Sequence, residues 1–145
     1  EYSASRGHGA ALNSRRVRAS DIKQAQQAAI TSNLLDQARS GDDPLLWGEM
    51  ASVIARESGM FRSSGCVALD IARVSAGHLD AAIIFRPEAA DLDIGVTLAM
   101  ESGALTGDFS GNPSAGQARQ LVVANPKLFR EVLKLLHPFR GRLPR

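Results

Sequence analysis

No methionine precedes Met50, and Glu1 opens the chain. A translation product begins with Met, so the sequence is expected to be a processed, proteolysed or truncated piece. Cysteine is almost absent. Cys66 stands alone, which excludes an internal disulfide and favours a reducing, cytoplasmic compartment. No stretch approaches the roughly 18 uninterrupted apolar residues that a membrane span needs, so no membrane partner is expected. The opening EYSASRGHGA carries no apolar run behind its charges and does not read as a secretory signal. A P-loop, a Gly-x-Ser-x-Gly elbow, a His-Glu-x-x-His pair, internal repeats and low-complexity tracts are all missing. His8, His78 and His137 lie far apart near turns or helix ends and read as surface residues.

What remains is ordinary globular material. At 145 residues, 44% hydrophobic and 22% charged, the chain suits one domain with its own core. Net charge is +2, unevenly spread. Residues 1–23 carry Arg6, Arg15, Arg16, Arg18 and Lys23 against Glu1 and Asp21. Residues 127–145 carry Lys127, Arg130, Lys134, Arg140, Arg142 and Arg145 against Glu131 alone. Basic ends suit nucleic acid or another acidic partner. No aromatics interleave the N-terminal arginines to stack bases, however, and the tail FRGRLPR reads as a frayed terminus, so a solvated surface is preferred. The middle is acidic and suits a cation.

Residues 1–19 predict a hairpin around the Gly7 and Gly9 turn, with its alternating second run ending at Val17. QAAITS (27–32) predicts a short strand. Ser40 to Asp43 followed by Pro44 is a helix start, with Leu46, Met50, Val53 and Ile54 on one face. A strand at Phe61 to Ser63 leads into a helix closed by Gly77, and 79–85 is the strongest strand pattern in the chain. Pro87 breaks it. A helix opening near Asp91 ends at Gly103, strands follow at 104–112 and 120–125, and Pro126 opens the last helix. This alternation predicts an α/β class, a mixed β-sheet flanked by helices.

Two places carry chemistry. At Ser63-Ser64-Gly65-Cys66-Val67 a strand turns into a helix, whose free N–H groups suit an anion or a sugar hydroxyl; a plain Ser/Gly cap explains the same residues. Cys66 as a nucleophile lacks a recognisable histidine partner. Glu88, Asp91 and Asp93 cluster at another helix start, where carboxylates serve either as caps or as hard-cation ligands.

The run from Phe61 to Gly111 resembles the inositol monophosphatase family, in particular its bacterial extragenic-suppressor branch. The resemblance rests on Arg62, Gly65-Cys66-Val67-Ala68, Ala76-Gly77, Asp80, Asp91, Glu101-Ser102-Gly103 and Asp108. SASRGHGAALNSRRVRAS resembles the family's Gly-x-Gly hairpin, and LVVANPKLFREVL its closing strand and helix. Asp91 lies eleven residues after Asp80 and ten before Glu101, the family's spacing for its metal aspartate, which selects it over the runner-up Asp93.

The resemblance implies the fold of the C-terminal subdomain of an inositol monophosphatase. Residues 1–24 would be a hairpin from the end of the N-terminal subdomain, 25–138 the C-terminal α/β subdomain, and 139–145 a basic tail. It implies a Mg²⁺-dependent phosphomonoesterase in which metals polarise the phosphate and activate a water. The small phosphorylated substrate would be held by Gly65, Cys66 and Val67, Asp91 would bind metal, and the protein would form a homodimer. Ala90 replaces the family's tryptophan, Ile84 the glutamate that contacts substrate hydroxyls, and Leu92 and Asp93 the usual small residues. The family's Glu-Glu pair and Asp-Pro-x-Asp-Gly-Thr motif do not occur in these residues, so no catalytic residue is assigned here and the chain alone is expected to be inactive. The rival expectation is a non-catalytic interaction module, a degenerate relative binding protein or RNA through its basic ends.

Overall fold

The computed structural model describes residues 1–113 and 119–144. Its N-terminal layer is a three-stranded antiparallel meander of β1 (Tyr2–Ser5), β2 (Gly9–Leu12) and β3 (Arg15–Val17). The sequence predicts one hairpin here, and the structure holds two. Gly7 and Gly9 take positive φ at the first turn as expected. Asn13 and Ser14 then both adopt positive φ, +50° and +68°, the geometry that joins strands through a two-residue loop. A glycine-free Asn-Ser pair inside an alternating run does not advertise that turn.

The second sheet comprises β4 (Ala29–Ser32), β5 (Met60–Arg62), β6 (Ala81–Phe85), β7 (Leu105–Gly107) and β8 (Gln120–Ala124), in the order β5-β4-β6-β8-β7. β4 runs parallel to β5 and β6, while β8 is antiparallel to β6 and β7. The expected mixed sheet is therefore present. Its two faces are covered by different helices. α1 (Leu34–Ser40), α2 (Pro44–Glu57) and α5 (Pro126–Leu136) bury one face, and α3 (Val67–Ser75) and α4 (Ala89–Glu101) the other.

Strand alternation distributes the core. Ala81, Ile83 and Phe85 join Leu46, Met50, Ile54 and Leu128 on the α2/α5 side; Ala82 and Ile84 join Ile71, Val74 and Leu92 on the α3/α4 side. The run 81–85 is uniformly apolar because both faces are covered. Pro44 and Pro126 occupy first helical turns, with Asp43 and Asn125 capping them through their side chains. Gly77 and Gly103 end α3 and α4 at φ +77° and +88°.

Two differences matter. α1 has no counterpart in the sequence reading; it is short, lacks a side-chain cap bond, and is held by Leu34 in the core. The C-terminal segment is not frayed. Residues 137–142 form a 3-10 turn, Phe139 is only 7% exposed in the α2/α5 core, and the Arg142 guanidinium donates to Glu49 on α2 at 2.6 Å. Arg145, counted among the basic residues, lies outside the described residues. Among those described, no helix is long and apolar enough to cross a membrane.

Candidate functional site

The corner between β6 and α4 is held from three directions. Beyond Ser32, β4 stops pairing, and the Asn33 amide takes over its role: Nδ2 donates to the Phe85 carbonyl and Oδ1 accepts the Phe85 N–H, each at 2.8 Å. The Phe85 ring stacks on Trp47 with centroids 4.3 Å apart, and the Arg86 guanidinium lies 5.1 Å from the same ring's centroid. Arg86 takes φ +52°, and its N–H donates to the Arg119 carbonyl at 2.6 Å, so the chain turns sharply into Pro87. Glu88 is the N-cap of α4, and Asp91 lies in the first turn.

Four carboxylates anchored the sequence comparison, and the structure sorts them. Asp80 Oδ2 accepts the Ala29 N–H at 2.6 Å, fastening the entry of β6 to β4. Asp108 Oδ1 accepts from the Ser110 and Asn112 N–H groups in the turn after β7. Glu101 accepts the Gly7 N–H on Oε1 and the Gly9 N–H on Oε2, at 2.8 and 2.9 Å. Those two backbone bonds, with smaller help from His8 and Arg16, hold its carboxyl below the ordinary value of 4.5. Asp91 is the exception. Its half-buried carboxylate has no hydrogen bond or ion pair among the described residues, and Glu88 makes no side-chain cap bond to α4 either. Asp93 is exposed and lies on a different side of the helix turn, lining a groove of about 780 Å³ with Cys66, Leu69, Leu98 and Tyr2.

The start of α3 is built by Ser64. Its Oγ accepts the Cys66 N–H at 3.0 Å and donates to Asp70 Oδ1 at 2.7 Å. Gly65 takes φ +79°, and Cys66 is the exposed N-cap without a side-chain cap bond. Of the three N–H groups expected to hold substrate, that of Cys66 is thus already engaged, whereas those of Gly65 and Val67 have no partner among the described residues.

Helices α3 and α4 pack together on one face of the sheet, the start of one offering amides and the start of the other a carboxylate. The sequence profile of the inositol monophosphatase family matches residues 1–138. The chain belongs to the inositol monophosphatase family. It is 32% identical over 138 residues to the Nus factor SuhB of Pseudomonas aeruginosa, covering 95% of this chain and 51% of that protein. Among solved structures it resembles inositol monophosphatase II from Staphylococcus aureus, at TM-score 0.85 and 24% identity, over 97% of this chain and 54% of that one. It also resembles the extragenic suppressor protein suhB from Bartonella henselae, at TM-score 0.83 and 22% identity, over 93% and 52%. These two likenesses establish the fold. The chain spans about half the length of the relatives it matches.

The residues present do not by themselves complete a site for the family's metal. Among the described residues, no group of three or more His, Cys, Asp and Glu side chains comes together to hold an ion. Mg²⁺ demands octahedral oxygen coordination, usually from one or two carboxylates plus waters and substrate phosphate. Asp91 alone does not meet that demand. Ile84, at the family's hydroxyl-binding position, is 0% exposed among Ile71, Val74 and Leu92, beyond the reach of a polar substrate. Sequence reasoning missed Asn33, which aims the β6–α4 corner, and Asp70, which is fully buried behind Ser64; both act through partners distant in the chain or hidden by the fold.

Proposed function

We propose that this chain supplies the C-terminal part of a Mg²⁺-dependent phosphomonoesterase acting on inositol or other small sugar phosphates, and that the chain alone is inactive. The observation that carries the reading is the sorting of the carboxylates. Asp80, Glu101 and Asp108 are tied to backbone N–H groups, while Asp91 stays uncommitted at a corner clamped by Asn33, Phe85 and Arg86. A carboxylate left half-buried without a partner suits a ligand that arrives from outside the chain. In this reading Asp91 contributes one ligand to a site whose other carboxylates come from elsewhere in the protein. The free N–H groups of Gly65 and Val67 orient the substrate by donating to a phosphate or hydroxyl oxygen. Cys66 takes no chemical part. The same reading carries a homodimer, checked by light scattering on the full-length protein.

The decisive experiment assays the full-length protein against a panel of phosphate esters with and without Mg²⁺. Turnover that requires Mg²⁺ and falls on Asp91→Asn supports the reading, and absence of Mg²⁺-dependent turnover with every ester overturns it. The sequence encoded upstream should also carry the Glu-Glu and Asp-Pro-x-Asp-Gly-Thr motifs.

Burial of Ile84, together with Ala90, favours a second reading, a non-catalytic module that binds protein or RNA. Arg15, Arg16 and Arg18 are exposed on and beside β3. RNA binding that weakens with salt and is lost on neutralising those three residues, in a protein without turnover, would favour it.

A further inference from the structure

The flank of α3 away from Cys66 and Leu69 encloses a second, polar cavity of about 250 Å³. Parallel pairing of β4 with β5 sets Thr31 beside Arg62 on the α3 side of the sheet, and α3 adds Asp70 and Arg73, three residues apart and so on one side of the helix. Three features of this cavity are unresolved by the fold itself. Thr31 is 0% exposed, and its Oγ1 has no hydrogen-bond partner among the described residues. Asp70 is 1% exposed, yet its carboxylate meets only the Ser64 hydroxyl and no cation. Arg62, largely exposed, and Arg73, half-buried, line the same space, and neither side chain makes a hydrogen bond or ion pair among the described residues.

A buried hydroxyl left unpaired and a buried carboxylate without a cation are each costly, and native interiors rarely keep them without a purpose. Two arginines against one aspartate give the residues that line the cavity an excess of positive charge. Guanidinium forks match oxyanions in planar, two-point fashion. The Asp70 carboxyl accepts hydrogen bonds through its oxygens, so it selects a hydroxyl or another donor at the opposite end of the ligand. Thr31 Oγ1 can complete either contact. The volume lies below the roughly 300–1,000 Å³ of ordinary small-molecule pockets, which limits the occupant to a few heavy atoms beyond the oxyanion.

We infer that this cavity binds a small hydroxylated oxyanion of about glycerol-phosphate size, with the oxyanion on Arg62 and Arg73 and a hydroxyl on Asp70 and Thr31. The inference does not depend on the phosphatase reading, because none of these residues is among the substrate or metal ligands of that reading, although Asp70 also steadies Ser64 at the start of α3.

Calorimetric titration of the full-length protein with glycerol 3-phosphate, glycerate, inorganic phosphate and glycerol, in metal-free buffer so that a Mg²⁺ site at Asp91 holds no phosphate, tests it. One hydroxylated anion should bind saturably in the millimolar range or better, more tightly than inorganic phosphate, while glycerol should not bind. The two hydroxylated anions decide between phosphate and carboxylate as the preferred headgroup. Arg62→Gln combined with Arg73→Gln should weaken binding by about tenfold or more, since charged hydrogen bonds are lost. Asp70→Asn should narrow the preference over inorganic phosphate; should that variant not fold, the isosteric Thr31→Val, expected to weaken binding about fivefold, takes its place. Asp91→Asn should leave binding unchanged. No saturable binding by either hydroxylated anion, equal binding by the double arginine variant, or loss of binding on Asp91→Asn would each overturn the assignment. Absence of turnover with binding intact counts only against the phosphatase.

Discussion

Asn33 offers the sharpest test of how the candidate site is held. β4 pairs with β6 through Ser32 and Ile83, and beyond that point the strand turns into α1. The Asn33 amide presents one donor and one acceptor to Phe85, as the next peptide of a parallel strand would. It is also the N-cap position of α1 but makes no cap bond, so its side chain serves the sheet rather than its own helix. Asn33→Ala removes both bonds and leaves the N–H and carbonyl of buried Phe85 short of partners on that side. At roughly 0.5–1.5 kcal/mol per hydrogen bond, more where a buried group is left unsatisfied, the loss should total about 2–3 kcal/mol. With a urea dependence of about 2 kcal/mol/M, the unfolding midpoint should fall by about 1 M at unchanged slope. Amide exchange at Phe85 and Arg86 should accelerate more than in β8. Asn33→Ser separates the two possible roles, because serine caps a helix as well as asparagine does but cannot span to Phe85. A serine variant within about 0.5 kcal/mol of the parent, with Phe85 exchange unaltered, would refute the clasp and leave Asn33 as an ordinary cap.

Three further outcomes are expected. In the full-length protein, Asp91→Asn should weaken Mg²⁺-dependent turnover much more than Asp93→Asn, and the reverse order would show that the ungapped spacing from Asp80 is misread. The Glu101 carboxyl is held low by the Gly7 and Gly9 amides, so its contribution is present above the ordinary value of 4.5 and is lost as pH falls through the lowered value in the folded protein. Protection of the Gly7 and Gly9 amides from exchange should therefore persist at neutral pH, fade in acid, and be absent at all pH values in Glu101→Gln if the ionised carboxylate is what holds the turn. Phe139→Ala should cost about 3 kcal/mol in urea unfolding, as for a buried aromatic, whereas a frayed tail would show no change.

The legible parts of this molecule are those whose cause lies within a few residues. Pro44 and Pro126 mark helix starts, Gly77 and Gly103 mark helix ends, and the apolar run 81–85 declares a strand covered on both faces; each is a local steric or burial rule, and each holds. The Asn13-Ser14 turn escaped because the rule that marks such turns leans on glycine, which is missing there. Phe139 escaped for a different reason: a lone aromatic among arginines looks solvated until α2 and α5 are placed to receive it.

The candidate site divides along the same line. Asp91 could be singled out by counting, yet its availability depends on Asp80, Glu101 and Asp108 finding other partners, some more than ninety residues away, and no count reveals that. The cavity beside Asp70 was wholly illegible. Thr31, Arg62 and Asp70 come together because β4 and β5 pair in one particular parallel register. A shift of that register by one residue would turn Thr31 toward the α2/α5 face and exchange its place with an apolar neighbour such as Ile30. Polar groups that the fold gathers but does not pair are therefore more informative about ligands here than the acidic cluster at the start of α4. A cluster at a helix start has a structural explanation ready, whereas a buried hydroxyl and a buried carboxylate that share one cavity lining with two unpaired arginines have none among the described residues.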